Sequence, residues 1–299
     1  MVGITSGLDV ERLIRFQRLY QKCELIIGDF TSSKFMKEVL DAYQPDEIYN
    51  LAAVSSVAKS FEMPELTNEI NYLSVVRILE IIGSDTKFSD TKFYQASSSE
   101  IFGPYTGKPM HEYSPINPIS PYGEAKALAH MYCQKVRTET DLFIASGILF
   151  NHEGEFRKPG FVSSKIIEAA ISISQDENHI VHLGNLSAER DWGYAGDYTE
   201  AISLMMRQSQ GEDFVISTGI RRTVREFLVT AFQTLGIEHR IEKNVKIDFN
   251  LFRKNDIEVS VGDSAKAYRE LGWKPKVSFE EMIKIMLEAR MKETPVLPK

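Results

Sequence analysis

The segment Tyr122-Gly123-Glu124-Ala125-Lys126 sets a phenol and an ammonium at i and i+4, on one face of a helix. An ammonium beside a phenol favours the phenolate and lowers the phenol's pKa. A phenol tuned in this way is a general base for a hydroxyl proton, such as that of a sugar, near neutral pH. The pair by itself is common on ordinary helices. The run Ser97-Ser98-Ser99-Glu100 adds to it, with Ser98 standing 24 residues before Tyr122. A serine hydroxyl there can bond the same substrate oxygen. Glu100 adds a carboxylate, which reads either as a second base or as a helix cap or solvated side chain.

These groups need a frame. The first half of the chain alternates short apolar runs with helical patterns. Leu25-Ile26-Ile27 reads as a strand ending at Gly28-Asp29. Residues 33–43 follow with helical spacing, and 47–51 form the next strand. Residues 65–83 read as one long helix, with Ile70, Leu73, Val76, Leu79 and Ile82 at three- and four-residue steps. Residues 92–96 are a strand, 121–138 a helix opening on Pro121, and 143–150 a nearly all-apolar strand. Short strands apolar on both faces, separated by helices, predict an α/β fold with a parallel sheet and helices on both sides.

In the second half, residues 161–174, 197–208 and 224–235 read as helices, the second capped by Asp197. Residues 179–183 and 214–217 read as strands, and a last helix runs near 279–291. With no Ser/Gly linker and no repeat, residues 1–160 read as the main α/β domain. Residues 161–299 read as a smaller lobe packed on it, with some segments returning to the first. Ligands of open α/β sheets bind at the carboxyl ends of the strands. Three such ends are Asn50-Leu51-Ala52-Ala53, Ser97-Ser98-Ser99-Glu100 and Asn151-His152-Glu153.

Composition narrows the class. The 299 residues are 43% apolar and 26% charged, which suits an ordinary folded protein. The net charge of −7 argues against a nucleic-acid surface. No apolar run approaches the roughly 18–20 residues of a membrane span. The first residues lack a signal-peptide pattern, so the expected compartment is cytoplasmic. Cys23 and Cys133 form no CxxC, and the six histidines no HxxxH, so no metal site is expected.

Longer motifs carry a resemblance. They are residues 48–53 (IYNLAA), 92–97 (KFYQAS), Ser120-Pro121-Tyr122-Gly123 with Lys126, and 147–153 (GILFNHE). Others are Gly184-Asn185-Leu186, Arg190-Asp191-Trp192-Gly193, Val224-Arg225-Glu226-Phe227 and Gly272-Trp273-Lys274-Pro275. Through nearly its whole length the chain resembles the extended short-chain dehydrogenase/reductase family, and within it the GDP-mannose 4,6-dehydratases.

The resemblance implies a Rossmann-like sheet with a C-terminal substrate lobe. It implies NADP as cofactor, with NAD possible, and a GDP-sugar as substrate. It also implies a homodimer or homotetramer, with helices near 66–83 and 121–138 packing across an interface. The implied reaction is a redox-neutral dehydration. Tyr122 takes the proton of the sugar 4-hydroxyl as hydride leaves C4, and Glu100 takes the C5 proton. Ser99 helps protonate the leaving 6-hydroxyl, and Ser98 bonds the oxygen at C4 where family members carry Thr. Lys126 supports Tyr122 and bonds the nicotinamide ribose. Asp29, Leu51, Ala52, Ala53, His152 and Arg157 fall at cofactor positions, with Asp29 near the adenine. Ser55, Asn151, Arg190, Arg225 and Arg253 fall at substrate positions. Trp192 reads as core or wall, and His152 equally as a packed core histidine.

Departures from the family pattern bear on the cofactor and the nucleotide. Glu189 stands where the family has Lys, so a positive charge near the nucleotide is expected to be lost. The stretch Thr5-Ser6-Gly7-Leu8-Asp9 lacks the arginines that hold a 2′-phosphate, for which Arg12 and Arg15 are possible substitutes. No GxGxxG or GxxGxxG occurs. The resemblance begins at Val2-Gly3-Ile4, the end of the family's second strand. A strand–turn–helix unit of roughly 25–30 residues is therefore expected ahead of it. Its strand would be central, and without it two neighbours keep unpaired backbone. Two other readings stay open: an epimerase or reductase of nucleotide sugars, which needs no Glu100, and a non-catalytic remnant or subunit.

Overall fold

The computed structural model describes residues 1–5, 23–252 and 255–293. Its central feature is a parallel four-stranded sheet. The strands are β3 (Glu47–Asn50), β4 (Lys92–Ser98), β5 (Ile144–Leu149) and β9 (Asp213–Ile216), in the order β3-β4-β5-β9. β4 and β5 are buried almost throughout, as central strands covered on both faces are. Alternate residues serve opposite faces. Phe93 and Ile144 pack with Ala129 and Cys133, whereas Tyr94, Ala145 and Leu149 pack with Tyr198 and Met205. β9 comes from the second half of the chain and pairs with β5.

β1 (Val2–Thr5) and β2 (Glu24–Ile27) form a separate parallel pair. Among the described residues β1 pairs only with β2, and β3 only with β4. The parallel strands thus fall into two pieces, divided between β1 and β3. One apolar core still reaches both, since Ile4 and Ile48 pack on the cluster of Met36, Leu79 and Phe93.

The helices begin where local chemistry allows. α1 (Ser33–Tyr43) is capped by the Ser32 hydroxyl, which accepts from the Phe35 N–H at 3.3 Å. α2 (Ser74–Ser84) buries Val75, Ile78, Leu79 and Ile82. α3 (Pro121–Glu139) opens on Pro121, whose missing N–H costs nothing in a first turn. The Ser120 hydroxyl caps it by accepting from the Gly123 N–H at 3.1 Å. In the second half, α4 (Val162–Gln175), α6 (Val224–Thr234) and α7 (Phe279–Glu293) share a core around Trp192, Phe227 and Phe232. α6 carries a reciprocal capping box between Thr223 and Glu226. Trp192 is 3% exposed and meets Phe227 edge-on at 5.3 Å, so it is core.

Three expectations are corrected. The predicted helix over 65–83 is interrupted by a π turn, Glu69–Leu73, between Pro64–Asn68 and α2. α5 (Ala195–Met206) starts two residues before Asp197, which does not cap it. Instead the Asp197 carboxylate accepts the N–H groups of Lys276 and Val277, at 2.7 and 3.0 Å. The strand predicted from 179 begins at Val181, as β7 (Val181–Leu183).

Short strands add a second layer. β6 (Asn151–Glu153), β8 (Glu189–Tyr194) and β10 (Arg221–Thr223) make a three-stranded sheet ordered β10-β8-β6. β11 (Val245–Ile247) pairs with β7. The chain passes from β5 to β6 through Phe150, whose N–H bonds the Ile216 carbonyl at 3.0 Å. The three-stranded sheet is thus joined directly to the carboxyl end of β5. Among the described residues no helix is long and apolar enough to cross a membrane.

Candidate active site

β4 ends at Ser98, and the chain turns at once into a short 3-10 helix, Ser99–Ile101. The Ser98 hydroxyl caps that turn by accepting the Glu100 N–H at 3.3 Å. Against it stands the first turn of α3, which carries Tyr122, Gly123 and Lys126. The approach is close: a Cβ at Gly123 would lie 2.8 Å from the Glu100 carbonyl oxygen. The structure thus brings Ser98, Ser99, Glu100, Tyr122 and Lys126 to one strand end.

The electrostatics differ from the expectation. Lys126 is 3% exposed, and its ammonium donates to the Ala96 carbonyl at 2.7 Å. It lies 6.0 Å from the centre of the Tyr122 ring. Burial lowers the Lys126 pKa to about 8. Burial also pushes the Tyr122 phenol up to about 12, with the Ser98 hydroxyl pulling it down, Glu100 raising it and Arg157 lowering it. Lys126 is not among those influences. Arg157 is the cation that acts on the phenol in the direction of the phenolate, while the Lys126 ammonium is held by the Ala96 carbonyl.

Arg157 is itself anchored. Its Nε lies 2.9 Å from a carboxylate oxygen of Glu153, and its guanidinium lies 3.7 Å from the centre of the Phe161 ring. Glu153 is buried and also accepts the Ser163 hydroxyl at 2.8 Å. Burial raises the Glu153 pKa, against Arg157 and Ser163, which lower it. His152 packs its ring 5.2 Å from Tyr198 and sets Nδ1 2.9 Å from the Phe150 carbonyl. Burial lowers its pKa, which favours the neutral ring.

The loop after β3 is held from behind. The Asn50 side-chain amide donates to Gln95 at 2.8 Å, and its oxygen accepts the Ala52 N–H at 3.3 Å. Asn71, on the π turn and 1% exposed, clamps the backbone of Val54. Its Oδ1 accepts the Val54 N–H at 2.8 Å and its Nδ2 donates to the Val54 carbonyl at 3.2 Å. π turns often mark functional sites. Leu51 is 62% exposed, Ala52 and Ala53 are half-buried, and Ser55 is exposed. Asp29, exposed after β2, accepts from the Thr31 N–H and hydroxyl at 2.9 and 2.6 Å, which lowers its pKa.

The residues expected at the substrate are more scattered. Asn151 opens β6, half-buried, opposite Trp192 of β8. Arg190 is buried, and its guanidinium pairs with Asp256 at 2.8 Å and donates to the Glu189 carbonyl at 2.9 Å. The side chain of Arg225 is exposed on α6. Arg253, Asp9, Arg12 and Arg15 lie outside the described residues. Glu189 faces Arg221 at 3.4 Å, so the carboxylate that replaces the family lysine has a cation of its own on the neighbouring strand.

Sequence reasoning assigned no role to Asn71, Gly123 or Glu153. Asn71 had one signal, a polar residue inside an apolar helical stretch. The other two are visible only as spacing in three dimensions. Among the described residues no group of three His, Cys, Asp or Glu side chains gathers to hold a metal.

The family model for GDP-mannose 4,6 dehydratase matches residues 4–286. GDP-mannose 4,6 dehydratase 2 of Arabidopsis thaliana is 42% identical over 267 residues, 89% of this chain and 71% of its own length. The GDP-mannose 4,6-dehydratase of Vibrio cholerae is 36% identical over 290 residues, 89% of this chain and 78% of its own. Among solved structures, the UDP-glucose 4-epimerase of Thermotoga maritima superposes with a TM-score of 0.84 at 25% identity, covering 98% of this chain and 99% of that one. The dTDP-glucose 4,6-dehydratase of Bacillus anthracis superposes with a TM-score of 0.83 at 19% identity, covering 97% and 87%, and shares the Rossmann-type fold. The chain belongs to the GDP-mannose 4,6-dehydratase family.

Proposed function

We propose that the protein is a nucleotide-sugar 4,6-dehydratase, a hydro-lyase that converts GDP-mannose, or a near GDP-sugar, to its 4-keto-6-deoxy form. The observation that carries this reading is the meeting of the Ser98–Glu100 turn with Tyr122 at one strand end. A reductase or epimerase needs one acid–base group at the oxygen on C4. Elimination needs a second base at C5, and Glu100 is the carboxylate beside Tyr122.

Lys126 and Tyr122 fit the nicotinamide-ribose half of a dinucleotide, whereas the glycine-rich turn that would hold the pyrophosphate does not occur in the sequence. An ammonium has three N–H donors, and Ala96 takes one from Lys126, which leaves donors for ribose hydroxyls. Tyr122 and the loop Leu51, Ala52, Ala53 suit the nicotinamide half, with His152 and Arg157 at its edge. The exposed Asp29 suits the adenine half. NADP is the form the family resemblance favours, with NAD the alternative. When bound, the nicotinamide supplies the means to take hydride from C4 and return it to C6.

Tyr122 receives the proton of the 4-hydroxyl, with the Ser98 hydroxyl bonding the same oxygen. It does so once positive charge outweighs the burial that holds its proton, and Arg157 already acts in that direction. The C4 carbonyl acidifies the neighbouring C–H. Glu100 takes the C5 proton, the freed electron pair forms the C5–C6 double bond, and the 6-hydroxyl departs as water with a proton from Ser99, which Ser99 regains from Glu100; a solvent proton then adds at C5 as C6 is reduced. Asn151, Arg190 and Arg225 are the candidates for the nucleotide, since a side-chain amide and planar guanidinium donors suit phosphate and ribose. Copies associate through the helices over residues 66–83 and α3, where Leu66, Leu128 and Met131 are exposed.

The test is product analysis of the purified chain with GDP-mannose and NADP or NAD in heavy water. A product lighter by one water, with solvent deuterium at C5, is expected. An isomer of unchanged mass would make the protein an epimerase, and binding without conversion a non-catalytic subunit.

A further inference from the structure

We propose that Gly123 is a positioning residue: its missing side chain lets the Ser99–Ile101 turn sit against α3 so that Glu100 and Tyr122 serve adjacent carbons of one sugar. This rests on the roles given above to Glu100 and Tyr122. A Cβ at position 123 would lie 2.8 Å from the Glu100 carbonyl oxygen, 3.1 Å from the Pro118 Cβ and 3.2 Å from the Ser120 hydroxyl. The nearest of these is backbone, which cannot swing aside like a side-chain tip.

Neither partner can yield locally. On the helix side, the Ser120 hydroxyl accepts the Gly123 N–H at 3.1 Å, and the Ser120 carbonyl accepts the Glu124 N–H at 2.8 Å. On the turn side, Ser98 holds the Glu100 N–H, the Phe102 N–H bonds the Ser99 carbonyl at 3.1 Å, and the Asn117 N–H bonds the Ile101 carbonyl at 2.9 Å. Just beyond the turn, Gly103 has φ of 67°, and a Cβ there would fall 1.9 Å from the Asn117 carbonyl oxygen. The catalytic turn is therefore wedged between two close glycine contacts. Helix propensity gives no reason for glycine at 123, since alanine is the better helix former.

A methyl group at 123 has one relief: the turn moves off α3 and takes Glu100 with it. Tyr122 and Lys126, on α3 itself, stay in place. A displacement of order 1 Å costs about 100-fold in a reaction that depends on placement. The loss falls on C5 proton removal, while oxidation at C4 is preserved.

The experiment compares Gly123→Ala, Glu100→Gln and the wild-type full chain with GDP-mannose and cofactor. Gly83→Ala is the control, a helical glycine whose Cβ would meet only an ordinary contact at 3.6 Å. C4 oxidation is read from the absorbance of reduced nicotinamide in a single turnover. C5 chemistry is read from solvent deuterium incorporation. Amide exchange at Phe102 and Asn117, measured without substrate, reports the turn directly. For Gly123→Ala we expect about a 100-fold loss at C5, C4 oxidation near wild type, and faster exchange at both amides. Unchanged C5 exchange or unchanged amide protection overturns the inference. So does an equal loss of both partial reactions, which would mean general damage. If instead Glu100→Gln keeps C5 exchange, the role of Glu100 is wrong, whatever Gly123→Ala does.

Discussion

Replacing Lys126 by Met isolates the cost of a buried ammonium. The side chain is 3% exposed, and the polar contact of its ammonium is with a carbonyl, not a carboxylate. Burial lowers its pKa from 10.5 to about 8. At about 1.4 kcal/mol for each tenfold change, that corresponds to about 3 kcal/mol, as an order of magnitude. The folded-state value lies below the unfolded one. Below pH 8 both states are charged, and the folded state bears the whole penalty. Above pH 10.5 both are neutral, and the penalty is gone. The wild type should therefore gain stability relative to Lys126→Met as pH rises through this window. The assay is urea denaturation of both proteins at pH 7, 8, 9 and 10. Taking the difference cancels the other titrating groups. We expect the wild type to gain about 2–3 kcal/mol on the variant between pH 7 and 10. A difference that stays flat within about 0.5 kcal/mol, the usual scatter of surface substitutions, would refute the reasoning. It would mean that the ammonium is better solvated or better paired than its burial implies.

Two other substitutions test how the frame holds the site. Asp191 is buried and accepts the N–H groups of Thr218, Gly219 and Gly262 and the Thr218 hydroxyl. Asp191→Ala leaves these donors unpaired and should cost about 2–4 kcal/mol in urea denaturation; a loss under about 1 kcal/mol would mean that water replaces the carboxylate. Asn71→Leu removes both bonds to Val54 and should speed exchange of the Val54 amide about tenfold, the effect of roughly 1 kcal/mol. Unchanged exchange there would show that the loop is held elsewhere.

Much of the fold was legible in the residues. The helix over residues 33–43 begins and ends where the helical spacing says it does, because periodicity is local. β4, β5 and α3 were likewise legible, being long and strongly patterned. β6 and β10 were not, because three residues carry no periodicity. The π turn at Glu69–Leu73 escaped because its apolar spacing is that of an α-helix. Asp197 looked like a cap by residue type, yet its partners, Lys276 and Val277, come from almost 80 residues away. Nothing in the order of residues around 197 carries that information.

The chemistry divides in the same way. The types of the reacting groups, a Ser run with Glu100 and a Tyr four residues before a Lys, belong to the sequence, and so does the family they indicate. Their placement and charge belong to the tertiary structure. The spacing of Tyr122 and Lys126 suggested that the lysine tunes the phenol. The fold sets the lysine against the Ala96 carbonyl and brings a second cation, Arg157, to bear on the phenol from a loop that sequence distance could not connect. Distance to Glu100 was likewise decided in three dimensions, by the room at Gly123. Residue identity sets which bonds can form, whereas desolvation and close packing depend on everything the fold brings near.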